Sequence, residues 1–322
     1  MTPDLRFAAR LNAFKHGLSG KPGLDDLLAR VALVPGMTHA DLNFPDHLDR
    51  LTPTQARSAL DRHGIGLNGL AMRYYTNPGF RLGAFTNPDP ATRRAAIDLT
   101  KRGMDALAQM GGQIMTLWMG QDGVDYSFQG DYARMWDDTI AAIAEVADHN
   151  PALDLSIEYK PNEPRAFALM PDLATTLLAL DEVARPNTGV TLDFCHLLFA
   201  GEIPARSARL AARRSRILGI HLNDGYGKRD DGLMVGAVHP VQTVELFVEM
   251  QRQGPPGTIY FDTFPDHGGL DPVEEATTNI AMSRRLWAIA QDLAANPDLT
   301  RAIESQNAAE SLRILAETLY SR

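Results

Sequence analysis

The sequence predicts a TIM (β/α)8 barrel with extra C-terminal helices, and three observations support this prediction. First, short apolar segments alternate with longer amphipathic segments, which is typical of a parallel α/β fold. Second, about eight apolar segments have the length of a strand, and eight is the strand number of this barrel. Third, ionisable residues stand at the ends of the later strands, where α/β barrels place their active sites.

The candidate strands, in chain order, are residues 7–14, 37–44, 66–72, 113–119, 153–159, 189–194, 217–222 and 258–262. Between them, segments such as PATRRAAIDLTKRGMDALAQM and YARMWDDTIAAIAEVADH carry apolar residues every three to four positions and predict helices. A doubly wound open sheet has the same alternation of elements. No G-x-G-x-x-G turn follows the first strand, however, and the chain has no P-loop, so the barrel is favoured.

The C-terminal region extends beyond what closes a barrel. After the eighth strand, VEEATTNIAMSRRLWAIAQDLAA and LTRAIESQNAAESLRILAETLYSR predict two helices, one more than closure requires. We therefore expect a barrel domain at residues 1–296 and a helical extension at residues 297–322 that contacts a neighbouring subunit.

Composition and charge exclude several classes of partner. The chain of 322 residues has 31 basic and 40 acidic residues, and its net charge of -9 disfavours nucleic acid and membrane surfaces. No segment approaches the roughly 20 consecutive apolar residues that cross a bilayer. A single cysteine, Cys195, and a start without the form of a signal peptide predict a cytoplasmic protein.

Acidic and histidine side chains follow four successive strands in the second half of the chain. The segments are SIEYKP, TLDFCH, GIHLND and YFDTFPDH, and their strand-end residues include Glu158, Asp193, His221 and Asp262. Alone, each has an ordinary structural explanation, such as a salt bridge or a core histidine. Together they indicate a cation, because burying unpaired carboxylates costs several kcal/mol each. A set rich in oxygen, with one nitrogen and no sulfur, suits Mn²⁺ first, with Mg²⁺ or Co²⁺ as alternatives.

Further polar residues accompany this expected metal site. Lys160 is two residues from Glu158 and leaves the same face of the strand, so its ammonium can stabilise negative charge that develops on a substrate oxygen. His196 follows Asp193 by three residues and can turn back over the metal. With Asp230 or Asp231 it can form a second metal position, although a solvated turn also explains the two aspartates. One or two ions are therefore expected.

These motifs resemble a known family. IEYKPNEPR, at residues 157–165, is similar to the Glu-x-Lys-Pro-Asn-Glu-Pro-Arg segment of xylose isomerases. LDFCH, HLND, the loop with Asp230 and Asp231, and YFDTFP follow in the order expected of the xylose isomerase-like barrel superfamily. The resemblance covers residues 30 to 290 and is stronger in the second half.

The chain departs from classical xylose isomerases at its ligands. They carry Glu-x-x-His where this chain has Asp193 and His196, and an aspartate where it has His221. The resulting set looks more like the L-rhamnose isomerase branch, although the loop acids Asp230 and Asp231 are adjacent instead of one residue apart. The resemblance implies a structural metal on Glu158, Asp193, His221 and Asp262.

The resemblance also implies roles for the other candidates. His196, Asp230 and Asp231 would hold or approach a catalytic metal, and Lys160 would touch the reacting oxygens of the substrate. Trp118 resembles a tryptophan that forms an apolar wall of the sugar pocket in these isomerases. His39 is a further candidate for a sugar contact.

The implied activity is aldose–ketose isomerisation of a free monosaccharide by a homotetramer or dimer, by a hydride shift or through an enediol. A ketose 3-epimerase of the same superfamily is the first alternative, although that reaction needs two facing glutamates and the eighth strand offers Asp262. A phosphodiesterase of the endonuclease IV type is a second, and the net charge of -9 argues against its duplex-binding surface. A non-catalytic barrel that binds a sugar or a protein is a third.

Overall fold

Eight parallel strands close into a barrel in the computed structural model of the protein, which describes residues 5–253 and 257–320. Each strand pairs with the barrel strands that precede and follow it in the chain, and the last strand returns to pair with the first. The barrel strands are β1 (Arg6–Arg10), β2 (His39–Phe44), β3 (Gly66–Met72), β4 (Ile114–Trp118), β6 (Asp154–Glu158), β8 (Thr188–Asp193), β9 (Ile217–Leu222) and β10 (Thr258–Phe261). The predicted TIM barrel is confirmed.

Helices cover the outside of this barrel. They are α1 (Leu24–Val31), α2 (Pro53–Arg62), α3 (Pro90–Gln109), α4 (Tyr132–His149), α5 (Leu173–Val183), α6 (Phe194–Phe199), α7 (Pro204–Arg214), α8 (Pro240–Gln253), α9 (Pro265–Gly268), α10 (Pro272–Ala294), α11 (Pro297–Glu304) and α12 (Ala308–Tyr320). Aspartate side chains at Asp89, Asp131, Asp172 and Asp271 accept hydrogen bonds from backbone N–H groups at the starts of four of these helices. Such caps satisfy donors that have no partner within the helix.

Burial on both faces of the sheet explains why the strand sequences are continuous apolar runs. All six residues of β8 are buried, because the barrel interior lies on one side and helices lie on the other. Parallel pairing brings the C-terminal ends of the strands to one rim, where Asp193 of β8 is in register with His221 of β9. The strand register therefore gathers the polar residues that end these strands.

The first predicted strand, residues 7–14, is too long. Strand β1 ends at Arg10, and a 3-10 helix at Leu11–Lys15 follows it. Leu11 and Phe14 are buried in this helix, so the apolar pattern continues beyond the strand although the backbone changes. The other predicted strands agree with the structure to within two residues at each end.

Two short strands were not predicted. Strands β5 (Gly123–Val124) and β7 (Phe167–Ala168) pair antiparallel in the loops that follow β4 and β6. A Cβ atom at Gly123 would lie 2.1 Å from the Phe167 carbonyl oxygen, so only glycine allows this close approach. Arg165 and Asp125 form an ion pair of 2.7 Å between the same loops.

The C-terminal region has three helices after β10 and the short helix α9, instead of the predicted two. The segment predicted as one helix from residue 299 onward divides into α11 and α12. Gln306, between them, has a φ of 53°, which lies outside the helical region and interrupts the backbone pattern. The division between a domain at 1–296 and an extension at 297–322 stays a prediction. No helix in the described ranges combines the length and apolarity that a bilayer span requires.

Candidate active site

A cavity of about 310 Å³ opens at the C-terminal rim of the barrel. Its lining comes from the ends of strands across the sheet and includes Asp41, Arg73, Trp118, Glu158, His221 and Asp262. The C-terminal rim is the end at which α/β barrels place their chemistry. The cavity is therefore the first candidate for an active site.

Four of the residues singled out in the sequence meet at this cavity, where three of them line its surface and Asp193 lies directly behind them. Glu158, Asp193, His221 and Asp262 each offer one nitrogen or oxygen atom, and these atoms lie within 4.8 Å of one another. Glu158 and Asp193 end their strands, and Asp262 follows β10 directly. Three of the four are buried, and the Asp262 side chain keeps 18% of its surface exposed.

Asn223 fixes the orientation of the Asp193 carboxylate. Its side-chain N–H donates to both Asp193 oxygens at 3.0 and 3.1 Å, and it also lies 3.1 Å from the Asp262 carbonyl. The backbone N–H of His196 donates to Asp193 at 3.0 Å. These donors hold Asp193 from one side and leave its other side facing the cluster.

Arg10, at the end of β1, forms an ion pair with Asp262. The guanidinium Nε lies 3.1 Å from the carboxylate, and Nη1 lies 3.5 Å from Asp266. The Arg10 guanidinium also packs over the Phe264 ring, 4.6 Å from its centroid. The first strand of the barrel thus positions the last member of the cluster.

The electrostatics of the cluster indicate a shortage of positive charge. Burial raises the pKa of the Asp193 carboxyl to about 7. Burial opposes protonation of His221, but the adjacent Glu158 carboxylate outweighs it and raises the pKa of the imidazole to about 9. Both raised pKa values show that the carboxyl and imidazole groups of this cluster bind protons more readily than they would in water. A cation bound among them would replace those protons.

The chemistry of the donor set fits a divalent metal. Three carboxylates and one imidazole, arranged around a common point, match the ligands that Mn²⁺, Mg²⁺ and Co²⁺ take in proteins. His221 Nδ1 lies 3.1 Å from a Glu158 oxygen, so the imidazole Nδ1–H donates to that carboxylate when the nitrogen is protonated. The arrangement therefore gives physical support to the ligand set expected from the sequence.

A second polar group lies beside this cluster. The Lys160 ammonium is 3.0 Å from Asp230 and 2.9 Å from Glu163, and the same Asp230 oxygen is 3.3 Å from Nε2 of His196. The Nδ1 of His196 faces the Tyr159 carbonyl at 2.9 Å, so Nδ1 carries the proton and Nε2 faces the cavity.

Electrostatics keep this second group charged. Burial lowers the pKa of Lys160, but the Asp230 carboxylate outweighs it, so the pKa is raised and the ammonium keeps its proton. Burial raises the pKa of Asp230, and His196 and Lys160 reverse that shift, so the carboxylate stays ionised. The second oxygen of Asp230, Oδ1, is buried without a hydrogen-bond partner among the described residues. An orphaned acceptor of this kind suits a substrate hydroxyl or a second ion.

The adjacent aspartate has different surroundings. Asp231 accepts hydrogen bonds from the Tyr226 backbone N–H at 2.8 Å and from Arg229 Nε at 2.7 Å. These contacts lie within the loop after β9 and not in the cavity. Of the two aspartates, the structure brings only Asp230 to Lys160 and His196.

Aromatic rings form one wall of the cavity. The Trp118 ring packs edge-on against Tyr75, with centroids 4.9 Å apart, and the Lys160 ammonium lies 5.4 Å from the Trp118 ring centroid. The indole Nε1 is buried and makes no hydrogen bond within the described ranges. Trp118 thus lines the cavity, and its role as an apolar wall for a sugar stays a prediction.

The expectation that His39 contacts a sugar is corrected by the structure. His39 is the first residue of β2, so its side chain lies at the N-terminal end of the barrel. It lines a separate cavity there with residues that begin other strands, such as Arg6 and Thr258. The end of the strand at which a residue lies determines which rim of the barrel its side chain faces. His39 lies at the N-terminal end, whereas the candidate active site is at the C-terminal rim.

Sequence reasoning missed several residues of this site. The missed residues line the cavity or contact the cluster, and none of them was singled out as a candidate: Arg10, Asp41, Arg73, Tyr75 and Asn223. Asn223 could have been predicted, because the HLND segment places it two residues from His221 on the same face of the strand. Arginines at strand ends resemble ordinary surface residues, so only the fold reveals them.

Comparisons with known proteins agree with the fold. A family model described as "Xylose isomerase-like TIM barrel" matches residues 31–286. A xylose isomerase of Thermus thermophilus is 28% identical over 243 residues, which make up 70% of this chain and 62% of that protein. The chain therefore spans about three-fifths of the length of that relative.

Two solved structures share the barrel at low identity. An L-ribulose 3-epimerase has a TM-score of 0.71 at 15% identity, over 91% of this chain and 99% of the other. A D-allulose 3-epimerase from Methylomonas sp., solved with D-allulose, has a TM-score of 0.65 at 19% identity, over 90% and 93%. At these identities the likeness is one of fold.

Proposed function

The chain belongs to the xylose isomerase-like TIM barrel family, and from this premise we propose that it is a metal-dependent enzyme that isomerises or epimerises a sugar. The observation that carries the proposal is the meeting of Glu158, Asp193, His221 and Asp262 at the C-terminal cavity. Relatives and structural neighbours named as xylose isomerase and ketose 3-epimerases support the sugar as substrate class.

The reaction that we propose first is interconversion of an aldose and a ketose. It is supported by the group of Lys160, Asp230 and His196, which lies beside the metal-ligand cluster. A divalent ion held by that cluster, Mn²⁺ by preference, supplies Lewis-acid polarisation of the sugar oxygens. The Lys160 ammonium donates a hydrogen bond to the reacting oxygen and stabilises its negative charge.

The remaining residues of the cavity complete this proposal. Asp230 holds Lys160 in place, and its unpartnered Oδ1 accepts a hydrogen bond from a substrate hydroxyl or binds a second ion. His196 Nε2 faces the same space. Trp118 gives the sugar an apolar surface and limits the access of water from that side. Asp231 remains outside this group.

Ketose 3-epimerisation is the second candidate. The solved structures named above are ketose 3-epimerases, so they favour this reaction over the first, whereas the Thermus relative favours isomerisation. Epimerisation needs one group to remove a proton from C3 and another to return one on the opposite face. Glu158 and Asp262 are the carboxylates available for this, but Asp262 is already paired with Arg10. No relative named above supports L-rhamnose as the sugar or phosphodiester cleavage.

Product analysis separates the two reactions. The Mn²⁺-loaded protein is incubated with single pentuloses and hexuloses, and the products are identified by carbon-13 NMR. We expect an aldose, since the Lys160 group lies beside the ligand cluster. A C3-inverted ketose would replace the first candidate by the second, and the absence of any product across this panel and across the matching keto acids and ketose phosphates would remove both.

A further inference from the structure

Arg73 occupies the sugar cavity without an ionic partner. It directly follows β3, and it lines the same cavity as Glu158 and Lys160. Its guanidinium makes no ion pair or hydrogen bond with any residue in 5–253 or 257–320, and its Nε is a buried donor with no acceptor. A buried donor that lacks an acceptor costs free energy unless a ligand supplies one.

The carboxylates of the cavity are already engaged elsewhere. Their contacts are Asp41 with Asn68, Glu158 with His221, Glu163 and Asp230 with Lys160, and Asp262 with Arg10. None of these side chains neutralises Arg73. Arg10, by contrast, has two carboxylate partners, Asp262 and Asp266. The positive charge of Arg73 is therefore available to pair with a ligand that enters the cavity.

Packing against an aromatic ring positions the Arg73 guanidinium. The Arg73 guanidinium carbon lies 4.4 Å from the centroid of the Tyr75 ring, and Tyr75 packs against Trp118. Lys160 lies over the other ring of this pair. Arg73 and Lys160 thus each pack against one ring of the same aromatic pair. A substrate that contacts Lys160 and lies against both rings would reach the guanidinium.

A planar guanidinium matches two oxygens of one anionic group better than it matches separate hydroxyls. We propose that the substrate carries an anionic group, a carboxylate or a phosphate, at the end away from its carbonyl, and that Arg73 binds this group. The inference rests on the proposed sugar reaction and specifies its substrate class as sugar acids or sugar phosphates instead of neutral sugars.

The test compares ligands that share a carbon skeleton. Hexoses, the matching hexuronates and the matching hexose 6-phosphates, in the gluco, galacto and manno series, are assayed for turnover and for calorimetric binding to the Mn²⁺-loaded protein. The proteins are wild type, Arg73→Gln and, as the control that also removes one positive charge, Arg81→Gln, because Arg81 is exposed and outside the cavity. Thermal unfolding of each variant checks that it is folded.

We expect one anionic series to bind and turn over at least about 10-fold better than its neutral counterpart, the usual effect of a charged hydrogen bond. Arg73→Gln removes this advantage, so that the ratio of anionic to neutral turnover and binding falls by the same factor, and Arg81→Gln keeps the wild-type ratio. Preference for hexuronates assigns a carboxylate, and preference for phosphates assigns a phosphate.

Three other results are distinguishable. If neutral sugars are turned over best and Arg73→Gln affects all ligands alike, the inference is overturned while the proposed function stands. If no ligand is turned over but an anionic series binds in a manner that depends on Arg73, the proposed reaction fails and the anion site stands. If anions bind equally to wild type and Arg73→Gln, the inference is wrong.

Discussion

The Lys160 ammonium lies 3.0 Å from the Asp230 carboxylate, although 70 residues separate them in the chain. Lys160 follows β6, and Asp230 comes from the loop after β9. That loop is held by Asp224, whose carboxylate accepts hydrogen bonds from three backbone N–H groups and contacts the His239 imidazole. The contact therefore depends on a structured loop, and it aims the lysine into the cavity beside the ligand cluster.

Replacing Lys160 tests its proposed role. We expect Lys160→Met to lower kcat by about 100-fold or more, because a buried charged donor to the reacting oxygen is lost. Mn²⁺ affinity, measured by calorimetry, should change little, since Lys160 is not a ligand. Lys228→Met, at an exposed lysine in the loop after β9, is the control and should keep its kcat. Equal kcat values in the two variants would contradict the role.

The neighbouring aspartates provide a matched pair. We expect Asp230→Asn to lower kcat by about 100-fold or more, because the cavity loses the carboxylate that contacts both Lys160 and His196. Asp231→Asn should keep kcat within about 3-fold and lower the free energy of unfolding by about 1 kcal/mol, since it weakens hydrogen bonds within the loop. Steady-state kinetics and urea unfolding measure the two effects. The reverse assignment would follow if Asp231→Asn were the inactive variant.

His47 makes stability depend on pH. It is buried as neutral imidazole, whose Nδ1 accepts from the Asn43 backbone N–H at 3.0 Å and whose Nε2 lies 3.1 Å from Asn12 Oδ1. Burial, with positive charge on Lys15, lowers its pKa to about 3, whereas an unfolded histidine titrates near 6.5. Between these values only the unfolded state binds the proton, so stability is complete above pH 6.5 and falls as the pH is lowered toward 3.

Urea unfolding at pH 7 and pH 5 measures this effect. From pH 7 to pH 5, His47 should account for a loss of about 2 kcal/mol in the free energy of unfolding. His47→Gln should be less stable at pH 7 but should lose about 2 kcal/mol less over this range. Because both proteins share every other titrating group, their difference isolates His47. Parallel pH dependence in the two proteins would show that His47 is not the cause.

Most of the barrel was predictable because its signals are local. Each strand is a short apolar run covered on both faces, and the cluster residues close their runs at Glu158, Asp193, His221 and Asp262. Parallel strands end at one rim, so four such endings must meet there. Fold and ligand cluster therefore follow from the same pattern.

The remaining features depend on geometry that residue spacing does not carry. Asp230 and Asp231 are adjacent, and only the path of the loop decides which of them faces Lys160. His39 was misjudged because a residue at the start of a strand faces the other end of the barrel from one at its end. Arg10 and Arg73 are single arginines whose importance arises from what surrounds them in the fold.

The most direct test of the central claim is sugar turnover with and without metal. Protein treated with EDTA and then dialysed is assayed with the best sugar of the panel before and after stoichiometric Mn²⁺, alongside Asp193→Asn and the exposed control Asp181→Asn. We predict that turnover disappears on metal removal and returns with Mn²⁺ in wild type and Asp181→Asn. Asp193→Asn should bind Mn²⁺ at least about 10-fold more weakly by calorimetry. Full turnover by metal-free protein, or unchanged Mn²⁺ affinity in Asp193→Asn, would contradict the account.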